Sequence, residues 1–398
     1  MPVDRAVRDY LSLASGLGHR RPGTISVCSG DGSPPAGPRP SAAKLVRVAG
    51  GLAQRLRGLG LDPLRERFLA AQLVAMESAA RRLAGQSIPY RVAVAAAADG
   101  PVTPGAEDDY RAAHRELDAL LPRSGALADR LAAHRAADEV PPDRLAVAVD
   151  ALGAALRERA RDAGLVAGPE RVAFEIVDGA PWNALHRREG YGRSRVVVNA
   201  VARPRRAGLA RIVAHEAYPG HHVEQWRRET VLVGERGWAE HSVVLLGTPQ
   251  SLLAEGAAEL GLHVLVGPAW GRWASDVLGS VGLGFDGELA ERIDAALARL
   301  ARVRLDAALA LHGARARPVE VEAYVRRWLL VDDAGARRVL RFLGDPLWRD
   351  HVVTYVEGAP LVRAWLDRPG SPPAQRLREL HDGPWTPSGI REELRRTG

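Results

Sequence analysis

The segment RRAGLARIVAHEAYPGHHVEQWRRE, residues 205–229, carries three of the twelve histidines of the chain within eight residues. Its pattern predicts a helix over about 207–229. In a helical zinc site, paired histidines stand at positions i and i+4 on one face, with a glutamate beside the first. Here position i+4 from His215 is Pro219, which offers no ligand atom and lacks a backbone N–H. Pro219 and Gly220 therefore predict a break or bulge in this helix.

Two histidines compete for the place opposite His215. On a straight helix His222 shares the face of His215 but lies about 10 Å along the axis, at 1.5 Å per residue. A break that absorbs two additional residues brings His221 back to that face instead. The spacing therefore fits a His215–His221 pair in a broken helix. Two alternatives stay open: His222 is the partner, or a kinked helix holds these histidines by chance.

A catalytic zinc site needs a further protein ligand and an open position. The segment SLLAEGAAELGLHVL, residues 251–265, has the pattern of an amphipathic helix and carries Glu255 close to the histidines in sequence. Glu259 follows one turn later on the same face and could orient a ligand from behind. Glu255 is the best candidate for the third ligand.

Composition narrows the class of protein. The chain has 398 residues, 46% of them hydrophobic and 26% charged, which is the balance of a soluble globular protein. Its net charge of +7 comes almost entirely from arginines interleaved with acidic residues, Lys44 being the only lysine, and this favours solvated helix faces over a nucleic-acid surface. A single cysteine, Cys28, excludes an internal disulfide framework. Asp4 and Asp9 argue against an apolar signal core, and no stretch is apolar enough for a membrane span, so we expect a cytoplasmic protein that binds neither membranes nor nucleic acid.

The periodicity predicts a mainly α-helical protein with a small β element before the histidine motif. We expect one domain over 1–398, with an N-terminal helical part (1–165), a metal-site part (166–368) and a turn-rich tail (369–398). Helices are predicted at about 42–60, 63–84, 106–136, 143–164, 207–229, 249–266, 286–312, 318–330 and 345–367. The segments 21–40, 85–104 and 165–194 are predicted to be irregular, and RVVVN (195–199) is the best strand candidate.

The motif HEAYPGHH, followed by TPQSLLAEGAAELG (248–261), resembles the bacterial family known as domain of unknown function 885, especially its actinobacterial branch. The resemblance extends over most of the chain. It includes YLSLASGLGHRRPG (10–23), RERFLAAQLVAMESAARRLAG (65–85), LDALLP (117–122), PWN (181–183), RVRLDAALALH (302–312) and RDHVVTYVEG (349–358). That family is similar to helical gluzincin peptidases, such as the carboxypeptidase Taq and thimet oligopeptidase families, which carry H-E-x-G-H and a distant glutamate ligand.

The resemblance implies a gluzincin-like helical fold with a deep cleft and one Zn²⁺ per chain. Aligning Gly220-His221 with the Gly-His of those peptidases implies that His215, His221 and Glu255 bind the metal, with Glu216 as the general base. The expected reaction is hydrolysis of a peptide or peptide-like amide by metal-activated water. An oxyanion donor is also needed. The first candidate for this donor is Tyr355, followed by His222, His312 and Arg302. Arg302 and His312 are also expected to bind the substrate or to support the site from behind its ligands.

Two loops depart from the family pattern, CSGDGSP (28–34) and the charged ALHRREGYGRS (184–194), and both could line a substrate cleft. The sequence leaves two other functions open. One is a catalytically silent metal-binding or scaffold protein derived from a peptidase, and the other is a non-haem iron enzyme with two histidines and one carboxylate. The exo or endo mode of cleavage and the oligomeric state are left open.

Overall fold

The structure, a computed structural model, describes residues 2–28, 39–122, 124–180 and 182–397. It is mainly α-helical, which confirms the predicted class. The helices are α1 (Pro2–Arg20), α2 (Ala42–Leu56), α3 (Pro63–Leu83), α4 (Tyr90–Ala98), α5 (Glu107–Leu120), α6 (Leu127–Ala137), α7 (Leu145–Asp162), α8 (Arg206–Glu216), α9 (His221–Arg228), α10 (Pro249–Glu259), α11 (Gly261–Leu265), α12 (Trp270–Gly279), α13 (Gly287–Ala298), α14 (Val303–Ala308), α15 (Pro318–Leu329), α16 (Asp333–Gly344), α17 (Val352–Leu366), α18 (Pro373–Asp382) and α19 (Pro387–Thr397). Short 3-10 turns (Pro142–Arg144, Ala200–Ala202, Ala239–Ser242) and π-helical turns (Glu229–Glu235, Leu309–Gly313) complete the helical part.

Two small sheets accompany the helices. The strands are β1 (Ile25–Cys28), β2 (Arg171–Val177), β3 (Ala184–Gly190), β4 (Arg193–Asn199) and β5 (Val243–Leu245). β4 lies between a parallel β2 and an antiparallel β3, and β1 pairs antiparallel with β5. β4 contains the predicted strand RVVVN and leads through one 3-10 turn into α8.

Several predictions of irregular structure are wrong. β2 and β3 occupy nearly half of the segment 165–194, and charged residues in β3 conceal its alternation of half-buried and exposed side chains. The tail after Pro369 contains α18 and α19, because the prolines at their first positions begin helices instead of turns. Residues 25–28 of the predicted loop 21–40 form β1, and residues 29–38 lie outside the described part of the chain.

The apolar side chains form two cores. The smaller one lies among α1, α2 and α3 and includes Tyr10, Leu52 and Phe68. The larger one contains most of the remaining helices, with Trp328 and Trp365 among its largest fully buried side chains. In the described residues, no helix combines the length and apolarity needed to cross a membrane.

Helices α10 and α17 approach each other so closely that their backbones touch. A Cβ atom added at Gly256 would lie 2.4 Å from the carbonyl carbon of Gly358, and one added at Gly358 would lie 2.5 Å from the carbonyl oxygen of Leu252. Only glycines permit this approach. The contact places Glu255, the neighbour of Gly256, beside the first turns of α17.

Candidate metal centre

The helix that carries the histidines breaks where Pro219 and Gly220 stand. α8 ends at Glu216, Ala217 leaves the helical region with φ −115° and ψ −87°, and α9 begins at His221. The amide of Gly220 donates to the carbonyl of Ala214 at 3.0 Å. A Cβ atom at Gly220 would lie 1.8 Å from the carbonyl oxygen of His215, so this chain path requires glycine. The predicted departure from a regular helix is confirmed.

The break brings together three side chains from α8, α9 and α10. His215, His221 and Glu255 each offer one ligand atom, and these atoms lie within 4.8 Å of one another. Nε2 of His215 is 3.4 Å from Oε2 of Glu255, and Nε2 of His221 is 3.8 Å from Oε1. In a tetrahedral zinc site with bonds of about 2.1 Å, ligand atoms are about 3.4 Å apart. Both the donor types and their spacing therefore fit a zinc ion.

Carboxylates lie behind both histidine rings. Nδ1 of His215 is 3.7 Å from Oε2 of Glu259, and Nδ1 of His221 is 3.7 Å from Oε2 of Glu224. Arg211 pairs with Glu259, and Arg228 pairs with Glu224. Such carboxylates keep a proton on Nδ1 and leave Nε2 free to bind a metal. The structure thus places Glu259 where the sequence predicted it, and adds Glu224 in the same position relative to the second ring.

The charges of the cluster reinforce one another. Burial by itself raises the pKa of the Glu255 carboxyl, but the nearby imidazoles of His215, His351 and His221 hold that pKa well below its usual range. Burial alone lowers the pKa of His221, yet Glu224, Glu255 and Glu216 together raise it to about 9. A concentration of negative charge around two imidazoles is what a divalent cation needs.

Glu216 and Tyr355 lie close to these three side chains. Glu216 is half-buried at the end of α8 and has no hydrogen-bond partner among the described residues. Burial raises the pKa of the Tyr355 hydroxyl well above its ordinary value, and the charges of Glu255 and Glu216 raise it further. Tyr355 is nevertheless 42% exposed. The carboxylate and the tyrosine predicted to take part in chemistry are thus near the cluster.

The structure does not bring His222 to the cluster. Its ring is buried on the other side of α9, where Nδ1 is 2.8 Å from Oγ of Ser194 and Nε2 is 3.1 Å from Oε2 of Glu170. Tyr218 and Arg157 donate to the same Glu170 carboxylate. Both nitrogens of His222 are thus engaged in this buried network, outside the His215–His221–Glu255 cluster, and its expected catalytic role stays a prediction.

Arg302 and His312 also lie elsewhere. Arg302 donates to the carbonyl of Thr103 at 2.8 Å and to Glu357 at 2.7 Å, joining the segment before α5 to α17. Nε2 of His312 is 2.7 Å from the carbonyl of Leu343, and its ring packs on Tyr90 with 4.9 Å between ring centroids. These contacts hold both side chains in place, and the expected roles of the two residues at a substrate stay predictions.

The sequence did not single out His351 as a site residue. This side chain is fully buried immediately before α17, with Nε2 3.7 Å from Oε1 of Glu255 and its ring 4.9 Å from that of Tyr355. One feature of the sequence could have indicated it: in RDHVVTYVEG, His351 precedes Tyr355 by one helical turn, so the two side chains share a helix face. The sequence also gave no reason to select Glu170 as a partner of the motif histidines. Its carboxylate contacts Nε2 of His222.

Of the two loops that depart from the family pattern, one can be placed. The segment 184–194 forms β3 and the turn to β4, and the ring of His186 in β3 has its centroid 6.3 Å from that of His221. This strand therefore flanks the metal-facing histidine. Of the segment 28–34, only Cys28, the end of β1, lies within the described residues.

Comparison with known proteins gives fold relatives. No family model matches the chain, and no curated protein matches it. A protein from Colwellia psychrerythraea, provisionally named a lipoprotein, has a similar structure with a TM-score of 0.53 and 14% identity, over 90% of this chain and 67% of that one. A provisional lipoprotein of unknown function from Shewanella oneidensis gives a TM-score of 0.50 and 13% identity, over 89% of this chain and 72% of that one. At these identities the similarity concerns the fold alone.

Proposed function

We propose that the protein is a zinc-dependent hydrolase, a metallopeptidase that cleaves peptide or peptide-like amide bonds with one zinc ion per chain. The observation that carries this proposal is the convergence of His215, His221 and Glu255 within 4.8 Å, with Glu216 next to the first histidine. A gluzincin-like cleft and kinship with domain of unknown function 885 are part of the same proposal. They rest on the resemblance of HEAYPGHH and the downstream glutamate motif.

Each residue has a chemical role in this proposal. His215, His221 and Glu255 would hold the ion, which would polarise a carbonyl group and lower the pKa of water toward about 7. Glu216 takes the proton of the attacking water, since its carboxylate has no other partner among the described residues and faces the cluster. Tyr355 keeps its proton at neutral pH and donates a hydrogen bond to the developing oxyanion.

Glu216 also favours hydrolysis over the two alternative functions. A non-haem iron site with two histidines and one carboxylate needs no base beside its first histidine. A silent scaffold likewise needs no general base beside its first histidine. Neither alternative accounts for the position of Glu216.

The test combines metal analysis with digestion of a peptide library. Protein purified without chelator or nickel resin is expected to contain about one zinc per chain and to cleave members of the library. Glu216→Gln is expected to lower kcat by about 10²–10⁴-fold with zinc content unchanged. The matched control is Glu158→Gln, an exposed glutamate on α7, which is expected to leave both unchanged.

Each other outcome points to a different conclusion. Full activity in Glu216→Gln would remove Glu216 as the base. Bound zinc without cleavage of any library member would favour a binding or scaffold protein. Iron in place of zinc would favour the oxygenase-type site.

A further inference from the structure

A third histidine, His351, faces the Glu255 carboxylate. It is fully buried, its Nε2 lies 3.7 Å from Oε1 of Glu255, and it immediately precedes α17, away from the helices that supply the other two histidines. Three histidines around one carboxylate raise the question of whether His351 is also a ligand. A fourth protein ligand would close a tetrahedral zinc site, and closed sites are structural instead of catalytic.

The hydrogen bond on the far side of the ring answers this question. The backbone N–H of Gly247 donates to Nδ1 of His351 at 3.1 Å. Because an N–H can only donate, Nδ1 must accept, and the ring proton therefore lies on Nε2. The hydroxyl oxygen of Thr354 lies 3.3 Å from Nδ1 and 3.4 Å from Nε2, and its proton goes to the carbonyl of His351 at 2.7 Å. A protonated Nε2 cannot bind a metal and can only donate, and the acceptors it faces are this hydroxyl oxygen and the Glu255 carboxylate.

The Gly247 amide is itself held in place. Gly247 has a positive φ of 69°, the preceding Leu246 donates from its amide to Thr24 at 2.8 Å, and the following Thr248 caps α10. α10 is the helix that carries Glu255. The turn at Gly247 therefore fixes both the beginning of α10 and the ring orientation of His351. In this way it sets the position of the imidazole of His351 relative to the carboxylate of Glu255.

We propose that His351 is a positioning residue that donates a hydrogen bond from Nε2 to Oε1 of Glu255 and so orients this carboxylate toward His215 and His221. The same proton keeps His351 off the metal and leaves a position open for substrate. The role rests on the proposed metal site and goes beyond it, because it determines how tightly the ion is held. The present separation of 3.7 Å is longer than a hydrogen bond, and the proposal is that it shortens when the Glu255 carboxylate turns toward a bound ion.

Two conservative substitutions separate the two hydrogen bonds of the ring. In His351→Gln the terminal amide occupies the region of Nε2 and can still donate to Glu255. In His351→Asn the shorter amide occupies the region of Nδ1, so it can accept from Gly247 but cannot reach Glu255. A residue that merely fills space would respond alike to both changes.

The measurement is the dissociation constant of the full chain for zinc, by competition with a chromophoric chelator. We expect His351→Asn to weaken binding by about 10–100-fold and His351→Gln to remain within a few-fold of wild type. The matched control is His114→Asn, because His114 is half-buried and its ring also bonds to a backbone group, the carbonyl of Trp328, away from the cluster. It is expected to leave zinc affinity unchanged.

A second readout identifies the ligands directly. The visible absorption bands of bound Co²⁺ depend on its coordination, and we expect the same bands in wild type and both variants. Altered bands in both variants would make His351 a ligand and overturn the proposal, as would equal zinc affinities for His351→Asn and His351→Gln. Failure of the wild-type chain to bind zinc would overturn the metal site as well, so the two failures are distinguishable.

Discussion

Three carboxylates act on one imidazole at the centre of the site. Glu224, Glu255 and Glu216 outweigh the effect of burial and raise the pKa of His221 to about 9 in the metal-free protein. At neutral pH this ring therefore carries a proton that a metal must displace. The site is organised for positive charge, whether a proton or an ion supplies it.

The pKa of His221 predicts a proton-coupled metal affinity. Since only the neutral ring binds zinc, binding at pH 7.5 is expected to release about one proton from His221, and affinity is expected to rise up to about tenfold per pH unit until the pH reaches about 9. Calorimetry in two buffers of different ionisation enthalpy measures the proton count. Zinc binding without proton release would contradict the assignment of His221 as a ligand.

Glu170 is a residue that holds His222 away from the His215–His221–Glu255 cluster. Burial by itself raises the pKa of this carboxyl, but hydrogen bonds from His222, Tyr218 and Arg157 lower it from 4.5 to about 2. A depressed carboxyl pKa stabilises the fold above about 4.5, and this stabilisation is lost as the pH falls through about 2. The decrease in the free energy of unfolding at acid pH therefore reports on this network.

Substitution of Glu170 tests the network. Glu170→Gln is expected to lower the free energy of unfolding at pH 7 by on the order of 3 kcal/mol, because Arg157 and His222 lose a buried anion. The difference from wild type is expected to shrink between pH 4.5 and about 2. Urea unfolding at pH 7 and pH 3 measures both. Glu189→Gln, in an exposed pair with Arg195, is the control and is expected to change stability by less than about 1 kcal/mol.

At the scale of elements, the site depends on a helix that ends and restarts. α8 and α9 are separated by four residues, and the amide of Gly220 reaches back to the carbonyl of Ala214. This compact connection returns His221 to the side of His215. It exists only because the position nearest the carbonyl of His215 has no side chain.

A methyl group at Gly220 should break the connection. Gly220→Ala places a Cβ atom within 1.8 Å of the carbonyl oxygen of His215, so α8 and α9 must separate and zinc affinity is expected to fall by more than about 100-fold. Gly50→Ala, inside α2 with nothing near its Cβ position, is the control and is expected to raise stability by about 0.5–1 kcal/mol. Zinc titration and thermal unfolding of both variants measure the effects. Unchanged zinc affinity in Gly220→Ala would contradict the role of this turn.

The α10–α17 contact is the second element on which the site depends. Gly256→Ala must push apart two backbones that touch, which is expected to cost about 2–4 kcal/mol of unfolding free energy and to move Glu255 away from His351. Chemical denaturation with a parallel zinc titration measures both effects. Gly279→Ala, near the end of α12 with open space at its Cβ position, is the matched control. A loss of affinity no greater than that of the control would show that the helix contact does not set the position of Glu255.

At the scale of the whole molecule, one site joins distant parts of the chain. His215 and Glu255 are forty residues apart, and α17 adds His351 and Tyr355 almost a hundred residues later. A ligand that binds these groups in the folded state, and not in the unfolded chain, must stabilise the fold.

Zinc should therefore raise the thermal stability of the protein. At a free zinc concentration of one hundred times the dissociation constant, the expected stabilisation is about 2.7 kcal/mol, and a chelator is expected to reverse it. Thermal unfolding with zinc and with chelator measures the difference. Glu255→Gln is expected to lose most of this shift, and an equal shift in that variant would place the bound zinc elsewhere.

Periodicity in the sequence predicts much of the fold. α2, α3, α7 and α15 begin and end close to the predicted bounds, because each has a regular apolar face and an evident start. α4 was missed because YRVAVAAAA has many small residues and little contrast between its faces. β3 was missed because its pairing with β4, and not its own composition, makes it a strand.

The sequence by itself determined the helix break, because proline and glycine act on the local backbone. It also determined the candidate metal ligands, because histidine and glutamate are recognisable as residue types. Tertiary structure decided which histidine faces Glu255 and added His351 beside it. The orientation of a histidine ring depends on what its two nitrogens contact. For His222 those contacts are Glu170 and Ser194, and for His351 they are Gly247 and Glu255, all of them distant in sequence and adjacent only after folding.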